Sequence, residues 1–131
     1  MLDLLVHNAT LPDGRTAMSV AVQDGRIVEV TPGLQAPAVE TLDAGGLLLS
    51  PPFVDVHFHM DGTLTYGMPR VNASGTLLEG IALWGELKPS LTVEAIIERA
   101  LTYCDWAVAQ GLLAIRSHVD TSDPRLLAVQ A

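Results

Sequence analysis

The chain has few of the residues that several classes of protein depend on. Cys104 is its only cysteine, so an internal disulfide and a Cys-x-x-Cys metal or redox motif are both excluded. Seven Lys and Arg stand against fifteen Asp and Glu, giving a net charge of −8 without any basic cluster that could neutralise nucleic-acid phosphates. The apolar run at residues 1–6 is too short to span a membrane and lacks the basic region of a secretory signal. We therefore expect a cytoplasmic protein with neither nucleic acid nor membrane as a partner.

Ionisable side chains alternate with apolar ones over residues 53–61, a pattern typical of a strand whose two faces meet different surroundings. Asp55, His57, His59 and Asp61 share one of these faces. Two imidazoles at positions i and i+2 project side by side, so one metal ion could bind a nitrogen of each. The alternative is a pair of half-buried histidines that are hydrogen-bonded to the neighbouring aspartates.

Residues 1–50 predict a small antiparallel β module of short strands joined by tight turns. The predicted strands cover residues 2–10, 18–22, 26–30, 39–42 and 47–49. Asp24-Gly25 is typical of a hairpin turn. This module contains no catalytic residue set of its own.

Two helices are predicted after the histidine strand. The first covers residues 75–88, is capped by Ser74 and has an apolar stripe of Leu77, Leu78, Ile81 and Trp84. Thr92 caps the second, which ends at Gly111. Its predicted buried stripe consists of Ile96, Ile97, Ala100, Leu101, Cys104, Ala107 and Val108.

A second strand of the same kind is predicted over residues 112–120, with Arg116, His118 and Asp120 on its polar face. A crossover of about fifty residues with helices makes a βαβ unit, in which the two strands should run parallel. Their apolar faces should meet the helices and their polar faces should point together, as in a barrel-type active site at the carboxyl ends of parallel strands. One more helix should begin at residues 122–123, and we expect the chain to end before the structural unit of that helix is complete.

Three stretches carry a family resemblance: residues 51–61, Ser74-Gly75-Thr76-Leu77 with the residues up to Ile81, and Arg116-Ser117-His118-Val119-Asp120. The chain resembles the N-terminal third of a cytosine deaminase-like member of the amidohydrolase superfamily. That resemblance implies an α/β fold, the N-terminal part of a (β/α)8 metal-dependent hydrolase barrel preceded by a small β-sandwich module. Residues 1–50 would be part of the sandwich, and residues 51–131 the first βαβ unit and the start of the next helix.

The resemblance also implies one divalent metal ion, Fe²⁺ or Zn²⁺, with His57 and His59 as ligands. Leu77 would lie at the substrate, and Asp55, Asp61, His118 and Asp120 would orient the metal-binding histidines. In the family, the other metal ligands and the proton-transfer groups come from later barrel strands. No catalytic residue is therefore assigned within this segment, and we expect residues 1–131 alone to be inactive.

The implied reaction is the hydrolytic deamination of a cyclic amidine such as cytosine. Metal-activated hydroxide would attack the ring carbon, and ammonia would leave. One alternative is an amidohydrolase acting on another nitrogen heterocycle, a triazine or an oxidised purine or pyrimidine. Another is a non-catalytic fragment that serves binding or assembly. The expected partner is a small nitrogen heterocycle, and a homo-oligomer is possible.

Overall fold

The computed structural model describes residues 1–131 and divides them into two units, Met1–Pro51 and Pro52–Ala131. The first unit contains strands β1 (Leu2–Ala9), β2 (Met18–Gln23), β3 (Arg26–Pro32) and β4 (Ala38–Asp43). The second contains β5 (Phe53–His59), α1 (Leu77–Leu87), a 3₁₀ turn (Lys88–Ser90), α2 (Val93–Ala109), β6 (Leu112–His118) and α3 (Leu127–Gln130). No helix in the chain is both long and apolar enough to cross a membrane.

The sheet of the first unit has the order β3-β2-β1-β4. Asp24 and Gly25 both adopt positive φ, the backbone of a two-residue hairpin turn between β2 and β3, as the sequence predicts. The prediction of a wholly antiparallel module is wrong, because β4 pairs in parallel with β1. Residues 33–37 return the chain to the level of Leu2, so β4 runs in the same direction as β1. The predicted strand at 47–49 is reduced to a single bridge between Thr10 and Leu48.

The βαβ unit predicted for the second half of the chain is present, since β5 and β6 pair in parallel. Both strands are shorter than predicted and end at the histidines His59 and His118. Their register shifts by one residue between Asp55 and Phe58, which marks a β-bulge in β5.

The apolar face of β5 is covered less than the alternating pattern predicts. Val54 and Val56 are exposed, and Phe58 alone among them stacks on an α2 side chain, with its ring centre 4.3 Å from that of Tyr103. The bulge between Asp55 and Phe58 interrupts the strict alternation of the strand, so Phe58 need not share a face with the two valines.

Helix α1 buries a different face from the one predicted. Leu83 and Leu87, four residues apart, are buried, whereas Leu77, Leu78 and Ile81 are exposed. The predicted cap is also wrong, because Thr76 caps the helix by accepting a hydrogen bond from the Glu79 amide at 3.3 Å. Residue 75 has a positive φ that glycine adopts without strain, so the chain turns there and enters the helix two residues later than predicted.

Helix α2 begins after Thr92, as predicted, with the threonine hydroxyl accepting from the Ala95 amide at 3.2 Å. Only Ile96 and Ala107 of its predicted stripe are fully buried. Leu101 and Val108 are exposed, so the stripe is only partly confirmed.

The helix predicted from residues 122–123 is shorter than expected. It covers Leu127–Gln130 and has no side-chain cap. The Asp123 carboxylate instead accepts hydrogen bonds from the backbone and guanidinium of Arg125, and Leu126 adopts a left-handed conformation that delays the helix.

Replacing the cap of α2 gives a test of this local structure. We expect Thr92→Ala to lower the free energy of unfolding by about 1 kcal/mol, because the Ala95 amide loses its acceptor. Urea unfolding measures the change. Thr102→Ala is the matched control, since the Thr102 hydroxyl donates only to the Glu98 carbonyl inside the helix. Equal destabilisation by both substitutions would contradict the capping role.

Contacts between the loop before α1 and Glu79 should make the stability of the fold sensitive to acid. Hydrogen bonds from Ser74, followed by one from Arg70, lower the pKa of Glu79 from 4.5 to about 2. A folded-state pKa below that of the unfolded chain stabilises the fold above pH 4.5, and this contribution disappears as the pH falls toward 2. Urea midpoints measured between pH 7 and pH 2.5 should therefore fall more steeply for the unaltered protein than for Glu79→Gln. Ser74→Ala should make the decline smaller and end it at higher pH, because the folded-state pKa of Glu79 is then lowered less. Identical pH profiles for all three proteins would contradict the interpretation.

Candidate metal and substrate site

Three imidazoles meet at the carboxyl ends of β5 and β6. The parallel register places His59 opposite His118. The ring centre of His57 lies 5.5 Å from that of His59 and 4.2 Å from that of His118, and the His59 and His118 centres are 5.9 Å apart. The structure thus brings together the two predicted metal ligands and one of the residues predicted to orient them.

The spacing of His57 and His59 is compatible with one shared metal ion. A metal–nitrogen bond of about 2.1 Å places an ion about 3.2 Å from the centre of the ring that binds it. Two rings that share an ion can therefore have centres up to about 6.4 Å apart, and the observed 5.5 Å falls within that limit. The structure contains no group of three or more His, Cys, Asp or Glu side chains placed to hold an ion. His57 and His59 could therefore supply two ligands, and a full set requires further donors.

The Asp61 carboxylate lies beside this cluster and is almost fully buried, with 3% of its side chain exposed. One oxygen accepts the Asp120 amide at 2.7 Å and the other accepts the Gly62 amide at 3.0 Å. The second oxygen also lies 3.9 Å from Nδ1 of His59. Arg99 of α2 holds the same stretch of backbone by donating to the Asp61 carbonyl at 3.1 Å. Asp61 thus lies beside a predicted metal ligand, and its role in orienting that ligand stays a prediction.

Asp120 faces α1 instead of the histidines. Its Oδ2 accepts from the Trp84 indole N–H at 2.6 Å and lies 2.5 Å from the Lys88 ammonium. Its Oδ1 accepts from the Ser122 amide. The Lys88 ammonium holds the pKa of the Asp120 carboxyl well below its ordinary value, with smaller contributions from Ser122 and Trp84. Asp120 can therefore act on the histidines only through its backbone bond to Asp61.

The remaining predicted residues have more peripheral positions. The Asp55 carboxylate accepts the backbone amide of His57 at 3.0 Å, so it fixes the strand backbone and not a ring. Arg116 is exposed. Leu77 is the first residue of α1, and 78% of it is exposed.

Sequence reasoning missed Lys88, and it assigned Trp84 to packing alone. Both contact Asp120, and Trp84 also lines an open cleft of about 330 Å³ together with His59, Asp61, Gly62 and Asp120. The available signal was their spacing, because residues four apart on a helix share a face. What that face contacts could not be read from the sequence.

Comparison with known proteins agrees with this architecture. The model of a family described as the amidohydrolase family matches residues 40–131. N-isopropylammelide isopropyl amidohydrolase of a Pseudomonas species is 30% identical, and the alignment covers 98% of this chain and 33% of that protein.

Solved structures show the same relationship. The crystal structure of 5-methylcytosine deaminase from Klebsiella pneumoniae liganded with 5-fluorocytosine is 40% identical, with a TM-score of 0.87 over 97% of this chain and 31% of that chain. N-isopropylammelide isopropylaminohydrolase from Burkholderia multivorans is 27% identical, with a TM-score of 0.74 over 99% of this chain and 33% of that chain.

The chain thus spans about a third of the length of these relatives. The solved structures match a β module followed by a parallel βαβ unit, the α/β arrangement of the N-terminal part of these enzymes. The family model matches residues 40–131, and the relatives align along nearly the whole chain. The chain belongs to the amidohydrolase family and is similar to the N-terminal portion of a cytosine deaminase-like member of it.

Proposed function

We propose that this chain is part of a metal-dependent hydrolase that deaminates a cyclic amidine such as cytosine and releases ammonia. The observation that carries the proposal is the pair His57 and His59 at the carboxyl end of β5. This pair lies in a chain 40% identical to a 5-methylcytosine deaminase. The carboxyl ends of parallel strands are where enzymes of barrel architecture place their chemistry.

His57 and His59 would hold one divalent ion, and imidazole is a suitable ligand for both zinc and iron. Such an ion, when bound, supplies Lewis-acid chemistry and lowers the pKa of a coordinated water to about 7 in favourable cases. The His118 ring packs against the His57 ring, with the ring centres 4.2 Å apart. The chain covers about a third of its relatives, so we propose that further ligands and proton-transfer groups come from other parts of a longer protein.

The substrate would be a small flat heterocycle bound near the histidines. The cleft beside His59 offers the indole of Trp84 as an apolar wall. Leu77 would contribute through its backbone, because the amide of the first residue of a helix has no partner within the helix.

A second candidate function follows from the similarity to N-isopropylammelide isopropyl amidohydrolase. The corresponding proposal is hydrolysis of a substituted triazine, with an alkylamine as the leaving group. Both functions need the same pair of histidines and differ in the groups that contact the ring.

Metal analysis tests the histidine pair. In the full-length protein we expect His57→Ala and His59→Ala each to lower the bound metal well below that of the unaltered protein, because one of two neighbouring donors is lost. The measurement is metal content per chain by mass spectrometry after dialysis. His7→Ala is the matched control, since His7 lies in β1 and its nearest carboxylate is Asp43. Unchanged metal content in both strand-β5 variants would refute the site.

Product analysis separates the two candidate reactions. We expect the full-length metal-loaded protein to release ammonia from cytosine or 5-methylcytosine with a larger kcat/KM than it shows for alkylamine release from N-isopropylammelide. An enzyme-coupled ammonia assay and amine chromatography measure the two products. Alkylamine release without ammonia from either pyrimidine would favour the triazine hydrolase.

A further inference from the structure

A chain of polar contacts runs from the end of α1 to the histidine cluster. It begins at Lys88 and Trp84, which both bind Oδ2 of Asp120. Lys88 is the only lysine in the chain, and its side chain is 22% exposed. The ammonium and the indole N–H project from the same side of the helix and contact the same oxygen, so two separate groups hold the Asp120 carboxylate.

The next contacts lead from Asp120 to His59. The Asp120 amide donates to Oδ2 of Asp61 at 2.7 Å, and the Gly62 amide donates to Oδ1 at 3.0 Å. The carboxylate is therefore held in one orientation, with Oδ1 directed toward Nδ1 of His59 at 3.9 Å. His57 and His118 have no carboxylate within ion-pair distance, so this contact distinguishes His59 from the other two rings.

We propose that Lys88 and Trp84 are positioning residues that, through Asp120 and Asp61, keep the proton of neutral His59 on Nδ1. The effect is to leave the lone pair of Nε2 free as a metal ligand. The consequence for metal binding rests on the proposed function, whereas the choice of tautomer concerns this chain alone.

The physical reason is the asymmetry that a fixed carboxylate imposes on a neutral imidazole. Such a ring carries one N–H, and the acceptor beside it decides which nitrogen bears that proton. At 3.9 Å the pair is too long for a hydrogen bond, so in this proposal Asp61 acts through its negative charge, which favours an N–H on the ring nitrogen that faces it. If Asp120 were released, its amide would no longer hold Oδ2, and the Asp61 carboxylate could turn away from the ring.

The first experiment measures the tautomer directly in the metal-free, full-length protein labelled with ¹⁵N-histidine. Imidazole ¹H–¹⁵N correlation spectra show which nitrogen carries the proton, and a His59→Gln spectrum assigns the signal. We expect the Nδ1–H form of His59 to dominate in the unaltered protein and in Lys88→Arg. Lys88→Met and Trp84→Phe should increase the Nε2–H form, the first more than the second.

The second experiment measures Zn²⁺ affinity by competition with a chromophoric chelator. Residues that orient a metal-binding histidine typically change affinity 10- to 100-fold when altered, so we expect a loss of about tenfold for Lys88→Met and less for Trp84→Phe. Lys88→Arg should restore most of the affinity. Arg15→Met, which removes an exposed ion pair with Asp13 in the first unit, is the control for a lost cation.

The outcomes separate this proposal from the proposed function. An unaltered His59 tautomer together with Zn²⁺ affinity within twofold of the unaltered protein, in both Lys88→Met and Trp84→Phe, would overturn the positioning role. If Lys88→Met does not fold, Trp84→Phe decides, because it removes only the indole N–H and keeps an aromatic ring. Zinc binding that does not depend on His57 and His59 would refute the metal site, and the tautomer spectra would then decide the positioning role alone.

Discussion

The parallel pairing of β5 with β6 is the constraint on which the candidate site depends. It places His59 opposite His118 at the ends of the two strands, although 59 positions separate these residues along the chain. The bulge in β5 lets Phe58 face Ser117 while His57 lies over His118. Because parallel strands need a long crossover, α1 and α2 are what allow the two ends to meet. The approach of His118 to the pair is therefore a consequence of topology, whereas the pairing of His57 with His59 follows from their local spacing on β5.

Local signals predicted the parts of the fold that are decided locally. Thr92 caps α2 and Asp24-Gly25 turns the β2–β3 hairpin because a hydroxyl acceptor and positive φ act within a few residues. The buried face of α1 was not predictable in this way. Its sequence offers several apolar stripes, and the packing of the unit selected Leu83 and Leu87 over the predicted set.

The acidic residues show where an alternating pattern stops being informative. Asp55, Asp61 and Asp120 were all predicted to orient metal ligands from one polar face. The strands end at His59 and His118, so Asp61 and Asp120 lie beyond the sheet, where alternation no longer sets their direction. Asp55 remains in the strand, but its carboxylate accepts the backbone amide of His57. The residue type predicts that each carboxylate accepts hydrogen bonds from nearby N–H groups, whereas its position in the alternating pattern does not predict which groups those are.

The burial of Asp61 explains why distant residues matter to the cluster. A buried carboxylate is costly unless its oxygens accept hydrogen bonds, and here two backbone amides supply them. Arg99 adds positive charge nearby; its own pKa is lowered chiefly by burial, and the charge of Asp61 opposes that shift. One amide belongs to Asp120, which α1 holds, and the guanidinium belongs to α2. Helix α1 therefore supports the carboxylate that faces His59 through Asp120, and α2 holds the backbone of Asp61 through Arg99, so substitutions on either helix can change the site without touching a histidine.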